Sequence, residues 1–309
     1  MKKLLALLLT LALSVSMVAC SSAPASSEST EGGESTSTET TEDGESTSTE
    51  ASLTIKEGVL QVALSPDFAP MEFVDLSKTG DDQFVGFDVT LAKHIASEVG
   101  LELKICPMSF DACQAAVSTG KVDMSISGFS WTETRAENYN LSDYYQAGDN
   151  ETEQVTITLA ANADKFTTAA DYAGIKVGTQ TASLQEELCK SQLTGCEVVA
   201  VGDINTGILQ LKTGDFEAMA VADGNADAII AANPDVVKTG FKFEVDPKYT
   251  DNLILLQKGD DDLTAEVNAI LAKAKAAGLY EGWYNDALDL AGVDTSADVS
   301  FDDDGNVIE

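Results

Sequence analysis

The sequence predicts an α/β fold with two lobes, each built on a mainly parallel sheet. Apolar runs of four to seven residues alternate with segments whose apolar residues recur every three or four positions. Such alternation of strands and helices is typical of β-α-β units. Residues 101–128 also align without a gap on residues 195–222, 94 positions later. Two similar lobes would produce this repeat, and so would a chance similarity of two β-α-β units.

The predicted elements follow one another from residue 59 to residue 274. The first predicted helix carries Phe87, Leu91, Ile95 and Val99 on one face, at a spacing of four residues. The predicted helices are 86–100, 109–118, 182–190 and 204–213, and a closing helix is marked by Leu263, Val267, Ile270, Leu271 and Ala274. The predicted strands are 59–65, 101–106, 122–127, 155–160, 175–178, 197–201, 218–223 and 253–257.

The segment 120–135 contains Arg135, the only arginine in the chain. We expect the strand 122–127 to end at Gly128 and a helix to begin at Thr132 and Glu133, an N-cap hydroxyl followed by an acid. A guanidinium binds a carboxylate through two parallel hydrogen bonds, and backbone N–H groups at a strand end add to an anion site. The segment therefore predicts a small anion site; a surface ion pair is the alternative in so acidic a chain.

The second copy of the repeat ends in a carboxylate, because Asp223 is the last residue of the predicted strand 218–223. Ligands of open α/β sheets lie beyond the carboxyl ends of the strands, so Arg135 and Asp223 would face one crevice. Together they suit a zwitterion. Phe68, in a turn-rich loop, and Phe110 and Trp131, at strand ends, are candidate walls of that crevice.

The N-terminus predicts export. Lys2 and Lys3 precede an apolar run that ends at Ala19-Cys20, a pattern typical of a secretory signal and too short for an ordinary membrane-spanning helix. A cysteine in this place resembles the lipobox of bacterial lipoproteins, so we expect residues 1–19 to be removed and Cys20 to be lipidated. A plain signal peptide cut nearby is the alternative.

Two acidic segments flank the folding region. Residues 20–52 are rich in Ser, Thr, Glu and Gly and contain no Lys, Arg or aromatic residue, so we expect a disordered tether. Residues 291–309 form an acidic tail whose aspartates lack the order of a calcium-binding EF-hand loop.

The charge balance excludes several partners. The chain has 52 acidic and 18 basic residues and a formal net charge of −34, which argues against nucleic acid. With His94 as the only histidine and no CxxC motif, we expect no metal and no cofactor.

Four cysteines follow Cys20 and allow three disulfide connectivities. Cys189 and Cys196 would close a small loop, and Cys106 and Cys113 have the same spacing.

Several motifs occur together in a characteristic order. They are SPDFAPMEF at 65–73, VGFDVTLA at 85–92, the segment 120–135, LSDYY at 141–145 and GLYEGWY at 278–284. In this combination the chain resembles the family 3 extracellular solute-binding proteins, the polar amino acid receptors of ABC importers, over about residues 59–288. The resemblance implies a type II periplasmic-binding-protein-like fold with two hinge crossovers, near 153–159 and 244–253.

The same resemblance implies the organisation and location of the protein. Lobe 1 would comprise residues 53–153 and 250–290, and lobe 2 residues 154–249. The protein would be a monomer outside a Gram-positive cell, held to the membrane by lipid on Cys20. It would close around an amino acid by hinge motion and deliver it to the permease subunits of the transporter.

The resemblance also implies the residues of the site. Arg135 and the Ser130 amide would bind the α-carboxylate, and Asp223 the α-amino group. Phe68 and Phe110 would enclose the ligand side chain. Further contacts would come from Asp67, Ser127, Gly128, Thr179, Thr181, Ala182 and Ser183.

Two other classes of function are weighed against binding. An enzyme on the same fold, resembling cyclohexadienyl dehydratase, would use Glu72 or Asp223 as acid or base, but the chain has no GxSxG motif and no His partner for a nucleophile. A sensor or adhesin lipoprotein is the other class, and no membrane-spanning segment follows Cys20 to make a fused receptor. We expect a binding protein without enzymatic activity.

Overall fold

The computed structural model describes residues 53–145, 153–293, 300–301 and 307–308, all within one compact unit, Glu50–Glu309. The predicted signal peptide, Cys20 and the tether lie outside the described residues, as does most of the acidic tail. No helix in the described part of the chain is both long and apolar enough to cross a bilayer.

The strands that the structure describes are, in chain order, β1 (Val59–Leu64), β2 (Asp67–Phe68), β3 (Glu72–Val74), β4 (Phe84–Val85), β5 (Glu102–Pro107), β6 (Met124–Ser130), β7 (Asn140–Leu141), β8 (Gln154–Leu159), β9 (Lys176–Gln180), β10 (Glu197–Val201), β11 (Ala218–Ala222), β12 (Val236–Lys242), β13 (Asn252–Leu256), β14 (Ser300–Phe301) and β15 (Val307–Ile308). The last two pair antiparallel with each other within the predicted acidic tail.

The α-helices of the described residues are α1 (Phe87–Glu98), α2 (Phe110–Ser118), α3 (Glu133–Asn138), α4 (Leu184–Gln192), α5 (Ile204–Thr213), α6 (Asp223–Ala232), α7 (Asp261–Ala276) and α8 (Leu279–Ala291). Short 3-10 helices cover Gly80–Gln83, Ala160–Lys165, Ala169–Tyr172 and Pro247–Tyr249.

Two five-stranded sheets form the cores of two lobes and share one strand order. Lobe 1 has the order β5-β1-β6-β13-β7 and lobe 2 the order β10-β9-β11-β8-β12. In each sheet the first three strands are parallel, and only β13 or β8 runs against the others. The predicted two-lobed α/β class with mainly parallel sheets is therefore confirmed.

The internal repeat of the sequence corresponds to a repeat of structure. In lobe 1 the unit is β5-α2-β6, and in lobe 2 it is β10-α5-β11, at the same places in the two sheets. The helices cover the sheets with their apolar faces. On one side of the first sheet, α1, α7 and α8 bury Leu91, Ile95, Val267 and Tyr284 in a single cluster.

One predicted boundary was wrong. Gly128 does not end its strand, because β6 continues to Ser130 and pairs there with Asn252 of β13. The pairing shifts register between Leu253 and Leu255, and Gly128 adopts a left-handed φ of 54°. A glycine therefore allows a bulge that the strand crosses without ending.

The cysteines do not form the predicted bridge in this structure. Cys106, Cys113, Cys189 and Cys196 are all free thiols. Cys189 is fully buried in the cluster beneath α4, where it packs beside Leu184 and Leu188 as a small hydrophobic residue.

Candidate ligand-binding site

A cavity lies where the two lobes meet. Lobe 1 contributes aromatic, hydroxyl and guanidinium groups, and lobe 2 contributes amide, hydroxyl and aliphatic side chains. The lining residues are Phe68, Phe110, Ser127, Gly128, Ser130, Arg135, Gln180, Ser183, Leu184, Gln185, Ile204, Ala220, Val221 and Ala222.

Arg135 is placed in this cavity by the start of α3. The side chain of Thr132 caps the helix by accepting a hydrogen bond from the backbone N–H of Arg135 at 3.2 Å, as the sequence predicted. The guanidinium carbon lies 5.5 Å from the ring centre of Phe110 and 5.1 Å from that of Phe129. Only 3% of Arg135 is exposed. The two rings stack on each other with their centres 4.7 Å apart, so the buried guanidinium lies beside this pair and is a cation of fixed orientation.

The same guanidinium joins the lobes. Arg135 donates to the carbonyl of Ser130 in lobe 1 at 2.6 Å and to the carbonyl of Ala182 in lobe 2 at 3.1 Å. Gln114, on α2, also donates to the Ala182 carbonyl, at 3.4 Å. Closing the lobes therefore completes the surroundings of Arg135.

Two buried carboxyl groups support the strand end that carries Ser127 and Gly128. The hydroxyl of Ser127 donates to Glu72 Oε1 at 2.5 Å, and the Gly128 N–H donates to Asp88 Oδ2 at 2.9 Å. Asp88 Oδ2 also accepts from the hydroxyl of Tyr145 at 3.0 Å. Glu72 and Asp88 hydrogen-bond to each other, and no other donor among the described residues reaches Glu72 Oε2 or Asp88 Oδ1.

These two carboxyl groups have raised pKa values. Burial, followed by the negative charge of Asp88, raises the pKa of Glu72 well above its usual range. Burial raises the pKa of Asp88 to about 6, although bonds from Gly128 and Tyr145 favour its ionised form. The raised pKa favours the protonated form of Glu72, which can donate a hydrogen bond to the carboxylate of Asp88. Because Gly128 donates to Asp88, its N–H is not directed at a ligand.

Phe68 lines the cavity. Its ring lies so close to Gly128 that a Cβ at that position would be 2.6 Å from Phe68 Cε1. Glycine is therefore required at residue 128 by both its φ and the ring. Phe68 also packs against the main hydrophobic cluster of lobe 1 and a cluster of lobe 2.

Asp67 occupies a place different from the predicted one, because it does not line the cavity. Its carboxylate accepts from Ser65 Oγ at 2.8 Å and, across the cleft, from Gln180 Nε2 at 3.1 Å and the Ile204 N–H at 2.6 Å. Burial raises the pKa of Asp67 to about 6, against the opposite effect of the Ile204 N–H. The reason for the difference is the first N–H of α5, an unsatisfied donor that a nearby carboxylate caps.

The predicted loop of lobe 2 contributes only in part to the lining. Ser183 lines the cavity and caps α4, accepting from the Glu186 N–H at 3.2 Å. Thr179 is completely buried, and Thr181 donates to the Val201 carbonyl at 2.9 Å, so neither side chain lines the cavity. Ala182 takes a positive φ of 61°, and its carbonyl accepts from Arg135.

Asp223 is the first residue of α6 and follows directly on the lining residues Ala220, Val221 and Ala222. It is not itself among the lining residues. Its carboxylate is 2.8 Å from the ammonium of Lys238, and its side chain is 21% exposed. Lys238 is equally close to Asp227, one turn further along α6.

Several lining residues were not predicted from the sequence. They are Gln180, Leu184, Gln185, Ile204 and Ala220–Ala222. The internal repeat contained a usable signal, because the shift of 94 residues places Phe110 on Ile204, and both begin helices that face the cavity. Gln185 is buried and donates to Gln154 Oε1 at 2.7 Å.

The described contacts between the lobes define a closed arrangement. Besides the contacts of Arg135 and Asp67, Asn225 of α6 donates to the carbonyl of Ala69 at 2.9 Å. Two similar α/β lobes that close over a buried cavity with a cation in its wall define a class, the two-lobed solute-binding proteins.

The family within that class follows from the sequence. The family described as bacterial extracellular solute-binding proteins, family 3, matches residues 60–288, and the chain belongs to it. The predicted family and the predicted function, a substrate-binding component of an amino acid importer, are confirmed.

Individual relatives agree with this assignment. The chain is 28% identical over 212 residues to a probable histidine-binding protein of Campylobacter jejuni, covering 66% of this chain and 78% of that protein. It is 28% identical over 225 residues to the arginine-binding extracellular protein ArtP of Bacillus subtilis, covering 72% and 83%. It also resembles a solved amino acid ABC transporter substrate-binding protein of Streptococcus pneumoniae, bound to L-arginine, with a TM-score of 0.69, 32% identity and coverage of 76% and 96%.

Proposed function

We propose that the cavity captures one amino acid by its α-carboxylate and α-ammonium groups and releases it to the permease of an ABC importer. The observation that supports this most directly is the buried Arg135, whose side chain lines a cavity enclosed by both lobes. The named relatives bind arginine or histidine, so the ligand of this chain is a polar amino acid in this proposal.

The α-carboxylate is assigned to Arg135, with Ser130 beside it and Ser183 from lobe 2. All three residues line the cavity, and Ser183 stands at the N-terminus of α4, where the helix dipole favours an anion. Phe68 and Phe110 enclose the remainder of the ligand. Ser127 and Gly128 shape the site through their bonds to Glu72 and Asp88.

Asp223 is assigned to the α-ammonium group because it follows the lining strand β11 and starts α6. Replacing Asp223 by Asn is expected to weaken binding of the best amino acid about thirtyfold, since a charge-assisted hydrogen bond contributes about 2 kcal/mol. The 2-hydroxy acid analogue of that amino acid lacks the ammonium group, so its affinity should fall much less in the same variant.

The best amino acid is first found by a thermal-shift screen of the twenty amino acids, because a bound ligand raises the melting temperature. Titration calorimetry then compares the variants. Asp227→Asn is the matched control, since Asp227 also pairs with Lys238 at 2.8 Å but has a side chain that is 51% exposed. Equal losses in the two variants, or an equal loss for the hydroxy acid, would remove Asp223 from the site.

The lobes of this proposal comprise residues 53–153 with 250–290 and residues 154–249. This division is supported by the sheets, because β8 and β13 are the strands that run against their neighbours. The connections near 153–159 and 244–253 are the proposed hinges. The protein acts without catalysis, in agreement with relatives that are named as binding proteins. We also propose that it acts as a monomer.

The location is proposed from the N-terminus together with the extracellular character of the family. In this proposal Cys20 is lipidated and anchors the chain outside a Gram-positive cell. Cys20→Ser is expected to move the protein from the membrane fraction to the medium, because two acyl chains are needed for stable anchoring. Fractionation and immunoblotting measure this, with Cys196→Ser as the control. Full retention of the Cys20 variant would contradict lipidation.

A further inference from the structure

The charges around the cavity restrict the class of amino acid that can bind more narrowly than membership of the protein family does. Among the described residues that line the cavity, Arg135 is the only one with a charged side chain, and the proposed function assigns it to the α-carboxylate. The other polar side chains in the lining are neutral hydroxyl and amide groups, including those of Gln180, Ser183 and Gln185. No second lining charge is thus available in the described part of the chain for the ligand's side chain.

Asp67 is the carboxylate that a cationic side chain would need, because it lies next to Phe68 and binds two lining residues. Its oxygens already accept from Ser65, Gln180 and Ile204 at 2.6–3.1 Å. Two of these donors belong to lobe 2, and one is the first N–H of α5, where the helix dipole also favours an anion. Asp67 therefore fastens the closed lobes together.

Replacing these donors by a ligand cation would release the capped end of α5 and the amide of Gln180. A cationic side chain that did not displace them would be buried without a partner, which is strongly unfavourable. An anionic side chain would compete with the α-carboxylate for Arg135. Amides and aliphatic groups can instead contact a neutral side chain between Phe68 and Phe110 without such a cost.

We infer that this protein selects an amino acid whose side chain carries no net charge, in contrast to its arginine-binding relatives. This inference rests on the proposed function, because it takes Arg135 and Asp223 to be occupied by the ligand's backbone groups.

Titration calorimetry of the purified protein with L-glutamine, L-asparagine, L-arginine, L-lysine and L-glutamate tests the inference. The better of glutamine and asparagine is expected to bind at least about tenfold more tightly than any of the three charged amino acids. A preference for arginine, lysine or glutamate would overturn the inference and leave the proposed function standing. Absence of binding to all twenty amino acids would overturn both.

Asp67→Asn separates the two roles open to this carboxylate. If Asp67 fastens the lobes, the variant is expected to bind every neutral ligand more weakly by a similar factor, about three- to tenfold. The ligands should keep the same order of affinity. Asp81→Asn, which removes an exposed carboxylate of the same lobe, is the control. A selective loss of arginine binding would show that Asp67 receives a cation and would overturn the inference. Unchanged affinity for all ligands would contradict the fastening role.

Discussion

Arg135→Met is expected to abolish amino acid binding while the protein remains folded. The guanidinium is buried beside the stacked rings of Phe110 and Phe129 and lines the cavity, so its loss would leave the ligand carboxylate without a cation. Removing one partner of such a desolvated, hydrogen-bonded pair costs about 3–5 kcal/mol, or roughly a hundredfold to several thousandfold in affinity.

Methionine is chosen because its unbranched side chain can replace the packing of the arginine stem against the two rings. Calorimetry measures binding, and circular dichroism with thermal unfolding measures the fold. Lys258→Met is the matched control: Lys258 donates to the carbonyls of Ala136 and Tyr139 at the end of the same helix, but does not line the cavity. The control should keep its affinity.

Arg135→Lys distinguishes charge from geometry. Lysine retains the positive charge but not the planar fork that binds both carboxylate oxygens, so most of the affinity is still expected to be lost. Full affinity in Arg135→Met would remove this residue from the site. Full affinity in Arg135→Lys with none in Arg135→Met would show that charge alone is sufficient.

The free energy of unfolding is expected to rise as the pH falls from 8 to 5. Glu72 and Asp88 have pKa values raised in the folded protein, that of Asp88 to about 6. Because the folded protein binds these protons more tightly than the unfolded chain does, protonation stabilises the folded state. The stabilisation is complete when the pH is below the pKa values of the unfolded chain. That stabilisation is lost as the pH rises through the folded pKa values, by up to about 1.4 kcal/mol per pH unit for each proton. Asp67, also raised to about 6, acts in the same direction.

Glu72→Gln isolates the contribution of the buried pair. A glutamine carbonyl can accept from Ser127, and its amide can donate to Asp88 without needing a proton, so the variant should be at least as stable as the natural protein at pH 8. Its stability should also vary less with pH. Denaturant unfolding at several pH values measures both effects, with the exposed Glu137→Gln as control. An unchanged pH dependence would show that Glu72 carries no proton.

Asp88→Ala tests the other member of the pair. It removes the acceptor of the Gly128 N–H and the Tyr145 hydroxyl and is expected to cost about 2–4 kcal/mol of unfolding free energy. Because Gly128 lies in the cavity wall, weaker ligand binding should accompany this loss. A destabilisation below 0.5 kcal/mol, within the usual range of surface substitutions, would contradict the role given to Asp88.

Local patterns were sufficient for most of the main sheets and their helices. The apolar spacing of 86–100 placed α1, and the repeat placed β5-α2-β6 and β10-α5-β11. The short strands β2, β3 and β4 were not predicted, because two or three residues carry no periodic signal and such a sheet exists only through its pairings. The helices α6 and α8 and the strand β12 were also missed, being alanine-rich or interrupted by glycine and polar residues.

The sequence by itself determined the two-lobed class, the family and the place of Arg135, because each depends on local periodicity, a capped helix start or motifs in order along the chain. Only the tertiary structure decided the surroundings of that arginine. In the structure the guanidinium donates to the Ala182 carbonyl, and the first N–H of α5 donates to Asp67. Glu72 and Asp88 accept hydrogen bonds from Ser127 and Gly128. These contacts join residues distant in the chain, and a buried carboxylate takes whichever donors closure brings near, which no local pattern encodes.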